Sequence, residues 1–200
     1  MVKSINIETN KDFYNKAYLE GGSNGEYLKN PYQSIYFPIW KKINEILTKK
    51  EKIFEIGCGA GQLAWYLLQQ EKNYYKGIDF SEVAIEKAKL LNIHNNLYGR
   101  FSVGNIYELE QQNIICDTII CCEVLEHLEK DISIFNILPA NIRFIFSVPN
   151  YMSKSHVRCF KDIQEIRTRY CSYLEFVNVE EFWINKKKTN KIFLIDSIII

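Results

Sequence analysis

The chain has 200 residues, 47% of them apolar, with 25 Lys and Arg against 24 Asp and Glu for a formal net charge of +1. That length holds one domain with a sizeable core rather than two, and the even charge balance gives no electrostatic argument for a polyanion such as nucleic acid as partner. Six cysteines, at 58, 116, 121, 122, 159 and 171, form no C-x-x-C pair, which reads as reduced thiols in a cytoplasmic protein rather than a disulfide framework. The N-terminal MVKSINIETNKDFY lacks the apolar core of a signal peptide, and no apolar run approaches ~20 residues, so no membrane partner is expected.

In chain order, residues 1–50 read as an N-terminal helical or lid segment and 51–200 as the core of what is overall a single domain. The aromatic stretch DFYNKAYLEGGSNGEYL (12–28) contains a GGSNG turn, and a helix is expected over 31–47. Tyr14 and Tyr18 share a helical face beside Phe13; they form either a lid over an apolar acceptor or aromatics packed on a sheet edge. Strands are expected at 52–57, 74–79, 98–103, 116–121 and 143–148. Helical patterns follow the first two, and Ser81 is the N-cap of the second. This alternation predicts an α/β fold with a parallel sheet covered on both faces. Residues 172–184 and 191–200 then form a closing antiparallel hairpin around a solvated NKKKTN turn.

The sharpest local signal is IFEIGCGAG (53–61), a strand running into Gly57, Gly59 and Gly61 and then directly into a helix. Its G-x-G-x-G spacing departs from the G-x-G-x-x-G of dinucleotide sites, which points to a nucleoside ligand without a pyrophosphate. Asp79 ends the second strand where a carboxylate can take both hydroxyls of a ribose. Gly104, Asn105 and Ile106 follow the third strand at the same rim.

With these motifs in order over about 51–150, the sequence resembles the class I S-adenosylmethionine-dependent methyltransferases. The resemblance implies a doubly wound, Rossmann-like seven-stranded sheet of order 3-2-1-4-5-7-6 with strand 7 antiparallel. It also implies S-adenosylmethionine as cofactor. By motif position, Glu55, Gly57, Cys58, Gly59, Ala60 and Gly61 would hold its methionine and ribose portions, and Asp79 the ribose hydroxyls. Phe80 would lie against the adenine, flanked by Ser81. Asn105, beside Ile106, would face the adenine amine where the family usually has an aspartate. Cys122 and Glu123 would lie beside the amino-acid end and the methyl group.

The stretch ICCEVLEHL (120–128) ends in Glu123, Glu126 and His127 at i, i+3 and i+4, the spacing of one helical face. Three readings stand side by side. The polar groups brace neighbouring loops; or His127 is a general base; or the E-x-x-E-H string, with His156 as a fourth ligand, holds a divalent metal. The string resembles quinone-biosynthesis O-methyltransferases and small-RNA 2′-O-methyltransferases. In FSVPNYMSKSHVRCF (146–160), His156 is a second candidate base, and Arg158 is placed to pair with a substrate carboxylate or phosphate unless both merely cap the next helix. His94 reads as an exposed loop residue. The expected function is methyl transfer to an oxygen or nitrogen of a small-molecule acceptor. The rival is a metal-assisted RNA 2′-O-methyltransferase, and a third reading is a cofactor-binding subunit without chemistry.

Overall fold

The computed structural model describes residues 7–70, 74–93, 99–110 and 114–200; His94 lies outside them. Seven strands form one sheet in the order β3-β2-β1-β4-β5-β7-β6. The strands β1 (Lys52–Ile56), β2 (Tyr74–Asp79), β3 (Gly99–Val103), β4 (Thr118–Cys122) and β5 (Arg143–Pro149) run parallel. The hairpin strands β6 (Leu174–Trp183) and β7 (Lys191–Ile199) close the edge, with β7 antiparallel to both neighbours. The expected order and the antiparallel strand are both present.

Alternate residues of the central strands feed two separate cores, as the period of two demands. Ile53, Ile120 and Ile145 face α2 (Phe37–Ile46), α3 (Gln62–Gln69) and α4 (Glu82–Leu91), meeting Ile39, Ile43, Leu67 and Ile85. Phe54, Ile119 and Phe146 face the other way, toward α5 (Ile163–Tyr170) and a series of 3-10 turns. Both faces being covered explains why β1 and β4 are nearly continuous apolar runs.

The helix expected over 31–47 begins later. Pro31 opens a 3-10 turn, Pro31–Gln33, and α2 starts at Phe37 with Pro38 in its first turn. A proline further inside would lose its hydrogen bond and strike the preceding carbonyl. Because α2 packs in the same cluster as β1 and α3, residues 37–47 belong to the sheet's core. Before them, α1 (Lys11–Glu20) is capped by Asn10, whose side chain accepts from the Phe13 N–H, and stops at the left-handed Gly21. It lies across the rim of the sheet. Lys11 pairs with Glu82 at 2.7 Å, and Asn15 accepts from the Ser81 hydroxyl at 2.7 Å.

Candidate active site

The turn after β1 is tied to β2, since the N–H groups of Gly57 and Cys58 both donate to the Ile78 carbonyl, at 2.8 and 2.9 Å. Gly57 has φ +73°, and a Cβ there would overlap the Val124 methyl. Gly59 has φ +52°, and a Cβ there would stand 2.8 Å from the Tyr18 hydroxyl. Both positions therefore exclude a side chain by conformation and by space. Asp79, 6% exposed, accepts from the N–H of Gly59 at 3.0 Å and of Ser81 at 2.9 Å, one bond to each oxygen. Each oxygen keeps a second lone pair, the donor-seeking pattern that a vicinal diol satisfies. Burial lifts Asp79 to a pKa of about 6 against the pull of those two bonds. Glu55 is buried beneath the turn, accepts from the Tyr75 phenol, and is pushed up to about 8, again chiefly by burial.

At the end of β4 the chain departs from the expected helical turn. Glu123 takes a left-handed conformation, φ +56°, and a 3-10 turn, Leu125–His127, follows. Leu125 is driven into the core while Val124 covers Gly57, so Glu123, Glu126 and His127 do not share one α-helical face. Glu123 turns toward β5 instead. Its backbone N–H donates to Ser147 Oγ at 3.1 Å, and the Ser147 hydroxyl donates to its carboxylate at 2.9 Å. Burial raises Glu123 to about 7.

The structure brings Glu126, His127 and His156 together instead, with one ligand atom of each within 4.8 Å of the others. The Nδ1 of His127 lies 3.0 Å from the Ser155 carbonyl. A carbonyl only accepts, so Nδ1 carries the proton and Nε2 the lone pair. Nε2 is 3.7 Å from Glu126. By the same argument His156 donates through Nδ1 to the Tyr151 carbonyl, at 3.0 Å, and the two imidazoles meet edge to face at 4.7 Å. Burial, then the neighbouring His156, lower His127 to about 4; burial also lowers His156. Both rings are neutral at pH 7. Glu126 is fully buried, and neither carboxylate oxygen has a hydrogen-bond partner among the described residues. Burial holds it well above the usual carboxylate range.

Two cavities meet here. The larger, about 700 Å³, is walled by Tyr36, Ile39, Trp40, Tyr151, Cys122 and the glycine turn, including Cys58 and Ala60. The smaller, about 120 Å³, is walled by Asp79, Phe80, Asn105, Ile106 and Leu128. Six residues line both: Tyr14, Tyr18, Tyr27, Gly57, Glu123 and His127. The junction of the cavities is therefore where a group could pass between two ligands.

A family model described as a methyltransferase domain matches residues 54–138, which span the glycine turn, Asp79 and the Glu123–His127 segment. The seven-stranded order seen here is the one implied for that family. Residues 54–138 therefore carry a methyltransferase domain, and with the strand order this supports a class I S-adenosylmethionine-dependent methyltransferase. Among curated methyltransferases, the ubiquinone biosynthesis O-methyltransferase of Neisseria meningitidis serogroup C (strain 053442) is 28% identical over 115 residues, covering 54% of this chain and 48% of that protein. The chain thus spans about half the length of that relative. Among solved methyltransferases, N-methyltransferase NodS from Bradyrhizobium japonicum WM9, in complex with S-adenosyl-L-homocysteine, superposes with a TM-score of 0.71 at 15% identity over 93% of this chain and 98% of its own. The 1,6-didemethyltoxoflavin-N1-methyltransferase of Burkholderia thailandensis gives 0.74 at 15% identity, covering 94% and 86%. At such identities the superpositions establish the methyltransferase fold alone.

Several residues carried over from the methyltransferase pattern stand differently from the expectation. The Asn105 amide oxygen accepts from the Tyr107 N–H at 3.1 Å and its amide nitrogen donates to Glu108, so the side chain caps a 3-10 turn while bordering the small cavity. Gly61 and Ser81 border neither cavity; Ser81 caps α4, as its sequence context indicated. Arg158 faces inward. Its guanidinium donates to the carbonyls of Leu125, Leu128 and Glu129 and pairs with Asp131 at 3.3 Å, which fixes the 125–129 loop and leaves it turned from both cavities. Glu123 is no part of the histidine cluster. Sequence reasoning missed Ser147, Tyr36, Trp40 and Tyr151. Ser147 pairs with Cys122 in the β4–β5 register, so the strand alignment was the one signal that could have found it.

Proposed function

We propose that this chain transfers the methyl group of S-adenosylmethionine to an oxygen or nitrogen of a small-molecule acceptor. The observation that carries the reading is the junction of the two cavities at Gly57, Glu123 and His127. The residues fit the cofactor: a diol-seeking Asp79, an apolar flank at Phe80 and Ile106, and a glycine turn with no phosphate cradle. When bound, S-adenosylmethionine supplies an electrophilic methyl carbon. Transfer forms the acceptor–carbon bond as the carbon–sulfur bond breaks, the electron pair staying on a neutral thioether that needs no acid. The chain has to orient the acceptor and accept one proton. His127 Nε2, neutral and at the junction, takes that proton, and the Ser155 carbonyl holds the ring in the required tautomer.

The larger cavity suits an acceptor with an apolar or aromatic body, given Tyr36, Trp40, Ile39 and Tyr151. Its acids, Glu26, Glu55 and Glu123, face only Lys29 and Lys154, and Lys29 is paired with Glu26. That balance disfavours a polyanion. A second reading rests on Glu126, whose two orphaned, buried oxygens beside two neutral imidazoles are a donor set suited to a divalent cation. Glu126, His127 and His156 would hold the ion, which would lower the pKa of an acceptor hydroxyl. His127 cannot use Nε2 for both roles.

Incubation with methyl-labelled cofactor and a fractionated cell extract, with and without EDTA, separates these. EDTA-resistant label in small metabolites supports the base reading, and EDTA-sensitive label in metabolites supports the cation. Label in short RNA would instead support the RNA-modifying rival, and no acceptor despite tight cofactor binding would leave a cofactor-binding subunit.

A further inference from the structure

The larger cavity is lined by an acid for which the chain provides no cation. Glu123 stands at its junction with the smaller cavity and keeps part of its surface exposed there, whereas Glu55 and Glu126 are buried. Its carboxylate accepts from the Ser147 hydroxyl and forms no ion pair among the described residues. The lysines lining the cavity are Lys29, committed to Glu26, and Lys154, which is exposed. A deep-set carboxylate without a cation is completed by a cationic guest. Glu123 is also held against its conformational preference. Its left-handed backbone, φ +56°, is one that a residue with a Cβ adopts only where the surroundings impose it. Here the Ser147 carbonyl and hydroxyl both accept from its N–H, at 3.2 and 3.1 Å.

Aromatic rings line the same space. Tyr27 lies against Tyr18 with centroids 4.3 Å apart, Tyr36 stacks on Trp40 at 6.3 Å, and Tyr151 lies beside His156 at 5.7 Å. Burial first, and the charge of Glu123 next, raise Tyr36 and Tyr151 above the usual phenol range. Burial, Asp79 and then Glu123 raise Tyr27 to about 12. Three neutral phenols therefore stand in the field of one carboxylate. The segment carrying two of them is pinned. Glu26 accepts from the Ser34 hydroxyl at 3.0 Å and the Ile35 N–H at 3.3 Å, and Ser34 accepts from the Tyr36 N–H at 3.2 Å. Gln62 on α3 donates to the carbonyls of Glu26 and Lys29, at 3.0 and 2.8 Å. Electron-rich rings around a carboxylate are the arrangement that recognises an ammonium ion.

We propose that the acceptor is a primary or secondary aliphatic amine bound as its ammonium ion, with Glu123 as counter-charge and Tyr27, Tyr36 and Tyr151 as the surrounding rings. The inference rests on the methyl-transfer reading with His127 as base. It moves Glu123 from the cofactor to the acceptor and leaves Glu55, under the glycine turn, for the cofactor's own ammonium. Before transfer the bound ammonium gives one proton to His127 Nε2. The freed lone pair forms the nitrogen–carbon bond as the carbon–sulfur bond breaks, that bond's electron pair staying on sulfur. The product is an N-methylammonium, still cationic, so the same site holds it.

The test incubates the full chain with trideuteromethyl cofactor and a fractionated cell extract, then resolves the labelled products by ion exchange with mass detection. Label is expected in cationic small molecules. Label confined to neutral or anionic products would overturn this inference and leave methyl transfer standing. Absence of any labelled product, or failure of the chain to bind S-adenosylhomocysteine, would overturn the methyl-transfer reading and this one with it. Glu123→Gln still accepts from Ser147 but carries no charge. With the fraction that yields the cationic product as substrate, it should raise KM about tenfold or more, while the Kd for S-adenosylhomocysteine moves by less than about threefold. Tyr36→Leu should raise the same KM about threefold to tenfold. An unchanged KM in both variants, or a loss of S-adenosylhomocysteine affinity in Glu123→Gln as large as the rise in KM, would overturn the assignment. Should Glu123→Gln fold poorly, Tyr36→Leu carries the test.

Discussion

Single side chains at this site show what burial does to charge. Asp79, Glu55 and Glu123 are raised to about 6, 8 and 7, so the folded state holds protons there that the unfolded chain has already released. Such groups contribute stability that is complete below about pH 4 and is lost as pH rises through the folded values. His127 and His156, both lowered, act in the opposite sense, losing stability as pH falls below about 6.5. Above neutrality the acids dominate. The ligand-free protein should therefore lose stability between about pH 6 and pH 8, and Glu55→Gln, which can still accept from Tyr75, should flatten that loss. Denaturant unfolding of both proteins at the two pH values measures it; parallel slopes would contradict the assignment. On the chemical side, His127→Asn keeps a donor for the Ser155 carbonyl and removes the base. With an identified acceptor, kcat should fall by about 10²–10⁴ while the Kd for S-adenosylhomocysteine moves less than threefold.

Elements explain how those side chains come to meet. The contact between the glycine turn and the turn after β4 is the tightest, since Val124 stands where a Gly57 side chain would be. Gly57→Ala should destabilise the fold by about 1–3 kcal/mol through overpacking and a disfavoured φ. Val124→Ala in the same chain should restore part of it, whereas simple additivity in the double-mutant cycle would rule that contact out. The glycine turn, Asp79 and the five parallel strands were legible because period, β-branched runs and glycine spacing are local properties of the chain. The shape of the E-x-x-E-H segment was not legible. Its spacing suits an α-helix, but the burial of Leu125 and the left-handed Glu123 impose a 3-10 turn, so Glu126 and His127 meet His156 and leave Glu123 to Ser147. Arg158 was misplaced for a related reason. An arginine in a loop looks available in sequence, but this one satisfies the carbonyls of a turn that no α-helix satisfies internally.

At the scale of the molecule, the sheet order puts the carboxyl ends of β1, β2, β4 and β5 along one rim, and α1 closes over it. No helix among the described residues is long and apolar enough to cross a membrane. The methyltransferase reading and the pairing of the cavities both require one thing of this rim: that it take a phosphate-free adenosine. Isothermal titration of the intact chain with S-adenosylhomocysteine, and separately with NAD, tests this most directly. The account predicts saturable one-to-one binding of S-adenosylhomocysteine, weakened about tenfold or more by Asp79→Asn, and no heat with NAD. Binding of NAD with indifference to S-adenosylhomocysteine would contradict it.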